Sequence, residues 1–145
     1  MVLKTGNVIE DGPYGYGTEG STWTDGGGVN ENGHISSLEI RSGRFIENIR
    51  VKYGGVWGSP HGGAGGSLHT LEINAGTKIT KVKGRYGRII DALELITEDG
   101  KVFGPYGSNG GVAFSAEQPG CYLSYLSGRA SGHHLVSITL HWECP

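Results

Sequence analysis

Two acidic residues stand at matching places in a repeated pattern. Glu47 closes Gly43-Arg44-Phe45-Ile46-Glu47, and Asp91 closes Gly87-Arg88-Ile89-Ile90-Asp91. A third copy, Gly132-His133-His134-Leu135-Val136, carries valine where the acid would stand. Each acid is followed by a glycine-rich stretch whose last glycine comes 19 residues after Glu47, at Gly66, and 20 residues after Asp91, at Gly111. A carboxylate accepts hydrogen bonds from neighbouring hydroxyls, and glycine lets a backbone N–H approach a ligand where a Cβ would clash. The competing reading is structural. An Asp at a strand start commonly satisfies turn amides, and Glu47 serves equally well as a solvated surface acid.

Other chemistry is poorly provided for. Glu47 and Asp91 belong to different repeats, which separates them beyond the ~5–9.5 Å of a glycosidase pair, and no nucleophile lies at informative spacing from a base. His133 and His134 are adjacent, so on a strand they point to opposite faces. His61 and His69 have no Cys or carboxylate at zinc-like spacing. The expectation is a protein with no catalytic residues, no metal and no cofactor.

The elements that must position the two acids follow from the same repeat, whose copies begin 44 and 45 residues apart. In each copy apolar residues recur every second position beyond the fifth: Ile49 and Val51, Leu93 and Leu95, Ile138 and Leu140. That is the period of a strand with one face buried. The third copy lies at the C-terminus, so its glycine-rich partner must come from the N-terminus, where Gly12-Pro13-Tyr14-Gly15-Tyr16-Gly17-Thr18-Glu19-Gly20 is the candidate. The chain thus reads as three similar β units closed into a ring by its two ends. Each unit should hold about four short strands, near twelve in all, with no helix. Asp99-Gly100 reads as a hairpin turn, and the glycine clusters, including Gly26-Gly27-Gly28, read as tight turns. Trp23, Trp57 and Trp142 read as core or rim fillers.

Composition agrees. Glycine supplies 28 of 145 residues without a collagen-like period, charged residues are 18 %, and the net charge is −2. The length suits one domain over residues 1–145. No Lys/Arg stripe marks a nucleic-acid partner; the stretch from Lys78 to Arg88 is interrupted by apolar residues. No apolar run approaches the ~20 residues of a membrane span, and the first residues lack the apolar core of a signal peptide. A hairpin folded about Gly132 and His133, after the turn-rich 127–132, would bring Cys121 and Cys144 opposite each other. A disulfide is then feasible in an oxidising compartment, and unpaired thiols or a link between two chains remain open.

Taken together, the Gly-x-x-x-Asp motif, the doubled-glycine loop Gly62-Gly63-Ala64-Gly65-Gly66, the stretch Phe103-Gly104-Pro105-Tyr106-Gly107 and the ending Ile138-Thr139-Leu140-His141-Trp142 resemble the jacalin-related lectins. The resemblance runs from about Gly12 to Trp142 and is to the mannose-binding branch, in which motif and loop recur around the domain. It implies an all-β, β-prism I fold of three Greek-key sheets with pseudo-threefold symmetry. It also implies sugar sites built from the acid, the backbone amides just before it and the last glycine of the paired loop. Carried over, these are Asp91 with Arg88, Ile89, Ile90 and Gly111, and Glu47 with Phe45, Ile46 and Gly66. The third set is His134 and Leu135 with Gly20, expected to be dead or altered because Val136 replaces the acid.

The function implied is non-catalytic binding of mannose- or glucose-type glycans by a secreted, multivalent homodimer, without nucleic-acid partner or membrane insertion. Galactose preference in the family goes with a free N-terminal glycine, whereas this N-terminal loop continues from Met1. The competing expectation is a structural or matrix-associated β-prism that has lost some sugar binding.

Overall fold

The computed structural model describes residues 7–145, which form thirteen strands and one short helix. Three hairpins make the inner walls: β3 (Ile35–Ser42) with β4 (Ile46–Tyr53), β8 (Ile79–Tyr86) with β9 (Ile90–Thr97), and β12 (Tyr122–Ala130) with β13 (Leu135–Glu143). The repeated motif is the turn of each hairpin, and its fifth residue is the second residue of β4, β9 or β13. Each hairpin becomes an antiparallel sheet by gaining outer strands. β5 (Val56–Trp57) and β6 (His61–Gly62) pair with β4, and β7 (Ser67–Glu72) pairs with β3. β10 (Val102–Gly107) pairs with β9, and β11 (Val112–Ala116) with β8.

The third sheet takes its outer strands from the other end of the chain. β1 (Val8–Tyr14) pairs with β13 and β2 (Ser21–Thr24) with β12, which closes the ring as the repeat requires. The result is three antiparallel sheets around one core, the β-prism I arrangement. The alternating residues Ile49, Val51, Leu93, Leu95, Ile138 and Leu140 are all buried, joined by Ile46, Ile90 and Leu135 at the motif end. Trp142 is fully buried, with its indole N–H donated to Asp11 at 3.0 Å.

Three expectations need correction. First, Gly26–Asn32 is a helix, α1, where tight turns and no helix were expected. Glycine disfavours helix by ~1 kcal/mol per residue, so tertiary contact decides. Gly28 lies against the Tyr53 ring, where a Cβ would meet it at 3.0 Å, and Tyr53 donates to Asp25 Oδ2 at 2.9 Å. Second, the first unit splits its outer strand into β5 and β6 around Pro60, giving thirteen strands rather than twelve. Third, β12 runs on through the supposedly turn-rich stretch to Ala130, because Gly128 packs flat against β13, where a Cβ would fall 2.2 Å from Ser137 O. The hairpin still pairs Tyr122 with Glu143, and Cys121 and Cys144 beyond them form a disulfide.

Candidate functional site

All three motif turns and their loops gather at one end of the prism, because β4, β9 and β13 all start there. The loop glycines obey the repeat in detail. Gly66, Gly111 and Gly20 have φ of 74°, 69° and 79°, a region that favours glycine. At the other side of each loop, Gly62, Gly107 and Gly15 press so closely on the motif strand that a Cβ would fall within 2.1–2.3 Å of the carbonyl of Glu47, Asp91 or Val136.

The second copy forms the most complete candidate site. Asp91 is only 7 % exposed. Its carboxylate stands among three glycines: a Cβ on Gly110 would lie 2.9 Å from Oδ1, one on Gly111 2.6 Å from Oδ2, and one on Gly87 3.9 Å from Oδ2. No group among the described residues donates a side-chain hydrogen bond to either oxygen. Burial raises its pKa above the ordinary carboxylate value, and the Arg85 guanidinium pulls it partly back. Arg85 also donates from Nε to Gly110 O at 3.0 Å and from a terminal nitrogen to Gly111 O at 3.0 Å, fixing the loop over the acid. Ile90 is buried, Ile89 half-buried and Arg88 exposed.

In the first copy the extra methylene of Glu47 changes which atom faces the loop. Gly66 looks onto Glu47 Cγ, where a Cβ would fall at 3.1 Å, whereas Gly111 looks onto a carboxylate oxygen of Asp91. The Glu47 oxygens are pushed on toward Gly65 and Gly43. There Oε1 meets His134 Nε2 at 3.9 Å, and the His134 ring sets its edge against Phe45, with centroids 5.4 Å apart. His134, assigned from sequence to the third site, thus places its side chain at the first. The loop here is held differently. Asn48 Nδ2 donates to Gly63 O at 2.9 Å, and His61 stacks on Trp23 with centroids 3.7 Å apart while bonding Asp25 Oδ1 at 3.0 Å. The Trp23 indole nitrogen is buried without a partner among the described residues.

In the third copy Val136 is fully buried, and Gly17 of the N-terminal loop sits over it, with a Cβ there 3.1 Å from Val136 Cγ1. The amides of His133 and His134 both donate to Ser131 Oγ at 3.1 Å, so the turn satisfies itself. Leu135 is buried in the core. Gly20 keeps its loop position, held by Arg129, which donates to Thr18 O at 3.1 Å and Gly20 O at 3.0 Å.

Arg85 and Arg129 are residues the motif reading missed. The signal was present: Arg41, Arg85 and Arg129 recur at a spacing of 44, two residues before each motif in the first two copies and three in the last. A groove of about 580 Å³ lies elsewhere, between Trp23, Ser127, Arg129 and Thr139 on the third sheet. A site made of one carboxylate and close backbone needs no such depth, and the groove holds none of the motif acids.

This geometry meets known proteins. The model of the jacalin-like lectin domain matches residues 11–141. Zymogen granule membrane protein 16 of Rattus norvegicus is 32 % identical over 131 residues, spanning 88 % of this chain and 77 % of that protein. Griffithsin of Griffithsia sp. is 32 % identical over 110 residues, 75 % of this chain and 84 % of its own. Among solved structures, wild-type Malaysian banana lectin superposes with a TM-score of 0.80 at 27 % identity, covering 96 % of this chain and 99 % of that one.

Proposed function

The chain belongs to the jacalin-like lectin family, a family of carbohydrate-binding, non-catalytic domains, and from that premise we propose that it binds mannose- or glucose-type glycans chiefly through Asp91. The observation that carries this is the Asp91 carboxylate itself: nearly buried, framed by Gly87, Gly110 and Gly111, and given no side-chain donor by the described residues. A desolvated carboxylate without donors is costly, and a pyranose supplies paired hydroxyls that donate to both oxygens. The glycines let backbone N–H groups come close to the ring, and rigid backbone donors lose little entropy on binding.

The three sites then rank by geometry. The Asp91 site dominates. The Glu47 site keeps a carboxylate but shares it with His134. The third site is silent as an acid-based site, since Val136 is buried and its turn amides are already used. Two working sites on one chain, or a homodimer of such chains, would raise avidity over a weak single site by roughly 10²–10⁴ and support agglutination. The Cys121–Cys144 disulfide supports an oxidising, secretory history.

A glycan array probed with wild type and Asp91→Ala tests the proposal. Binding to mannose- or glucose-terminated glycans that falls at least tenfold in the variant is expected. Binding that survives would transfer the activity to the Glu47 site. A wild type that binds no glycan would overturn the lectin function and leave the structural, matrix-associated alternative.

A further inference from the structure

The N-terminal loop is one residue longer between its paired glycines, Gly15 and Gly20, than the loops Gly62–Gly66 and Gly107–Gly111. It lies across the turn of the second copy. Tyr16 N donates to Gly87 O at 3.0 Å and Gly17 N to Arg88 O at 2.9 Å, so the loop is pinned to the very turn that leads into Asp91. Two features arrive with it. Tyr16 is 68 % exposed, the most exposed large apolar side chain among the described residues. A Cβ on Gly87 would lie 4.0 Å from the Tyr16 hydroxyl and 3.9 Å from Asp91 Oδ2, so phenol and carboxylate flank a single glycine. Beside them Glu19 Oε1 pairs with the Arg88 guanidinium at 3.6 Å.

An exposed aromatic ring held by backbone bonds offers a flat apolar face at low entropic cost. The Glu19–Arg88 pair adds donors and acceptors with no net charge. One apolar face beside mixed hydrogen-bonding groups is the complement of a second pyranose, which has C–H faces and an equatorial rim of hydroxyls. Resting on the Asp91 proposal, we infer that this site continues across Tyr16 as a second saccharide subsite. The ligand is at least a disaccharide: one hexose on Asp91, the next laid over the Tyr16 ring with its hydroxyls toward Arg88 and Glu19. Tyr16 acts as a specificity residue that reads chain length, supplied to the second site by the loop of the third.

Calorimetric titration of wild type, Tyr16→Ala, Tyr16→Phe and Asp91→Ala tests this with four probes: methyl α-mannoside, methyl α-glucoside, α-linked mannobiose and maltose. The wild type should bind one disaccharide roughly tenfold or more tighter than its monosaccharide, beyond the twofold statistical gain. Tyr16→Ala should bring that ratio close to the statistical value, while Tyr16→Phe, which keeps the ring, should preserve it. Equal affinity of monosaccharide and disaccharide in the wild type overturns the subsite, as does a ratio that survives Tyr16→Ala. Unchanged binding of every probe by Asp91→Ala overturns the Asp91 proposal instead, whatever Tyr16 does. No binding of any probe by the wild type overturns both.

Discussion

At the scale of single residues, the copies of the motif differ by what their fifth side chain puts against the loop glycine. Asp91 presents an oxygen, Glu47 a methylene and Val136 a buried branch. Asp91 also carries an energetic cost, in keeping with the binding role proposed for it. Burial raises its pKa above the unfolded value of 3.8, with Arg85 opposing the shift. A raised native pKa means the native state holds the proton more tightly than the unfolded chain. The stability it contributes is fully present below pH 3.8 and is lost as pH rises through the native value. At neutral pH the buried charge is therefore a cost to folding. Asp91→Asn should melt at a higher temperature than wild type at pH 7, with the gain vanishing toward pH 3, while glycan binding is lost. Melting curves across that range check this. A variant that melts lower at pH 7 would return Asp91 to the structural role of satisfying turn amides.

Elements position these residues in pairs, a β-hairpin turn against a glycine-rich loop from the same sheet. The arginine on the first strand of the hairpin does the joining in two of the three sheets, Arg85 to Gly110 and Gly111, and Arg129 to Thr18 and Gly20. Arg85 has two effects on the Asp91 site that one variant can separate. Arg85→Met keeps the aliphatic stem but removes two hydrogen bonds of ~1 kcal/mol each. It should weaken glycan binding at neutral pH by roughly three- to tenfold. It also removes the charge that draws the Asp91 pKa down, so the loss of binding on acidification should move to higher pH than in wild type. Binding measured against pH reads both effects. An unmoved acid limb would show that Arg85 acts on the loop alone.

For the whole molecule, the ring is closed by β1 and β2 on β13 and β12, and the disulfide lies just past the far end of that closure. Cys144 follows β13 while Val136 is near its start, so ~26 Å of strand separates the bridge from the end that carries the motif turns. Cys144 N also donates to Asn7 O at 2.8 Å, tying the bridge to the residue just before β1. A bridge between residues 23 apart restricts the unfolded chain by about 3 kcal/mol. Reduction, or replacement of both cysteines by alanine, should lower the unfolding free energy by about that amount. Glycan affinity of the folded protein should stay unchanged. Denaturant unfolding with and without reductant measures the first, and titration of the folded double variant the second.

The repeat was legible because it is written in local terms. Alternating apolar residues at Ile49, Val51, Leu93, Leu95, Ile138 and Leu140 specify strands with one buried face, and glycines at equivalent steps specify the turns. From these the three sheets and the closing of the ring by the two ends followed, while the pairing of Asp91 with Gly111 came from the resemblance to the jacalin-related lectins. What the tertiary structure decided is whatever joins one unit to the next. His134 faces Glu47, Tyr16 lies beside the Asp91 turn, and Asp25 holds both Tyr53 and His61. Such pairs are remote in sequence, and only the rotation between sheets brings them together. The helix at Gly26–Asn32 is of the same kind, since three glycines would not choose it alone, and the close approach of Tyr53 permits it. Local patterns therefore determined the units and their acids, while packing between units determined what surrounds each acid.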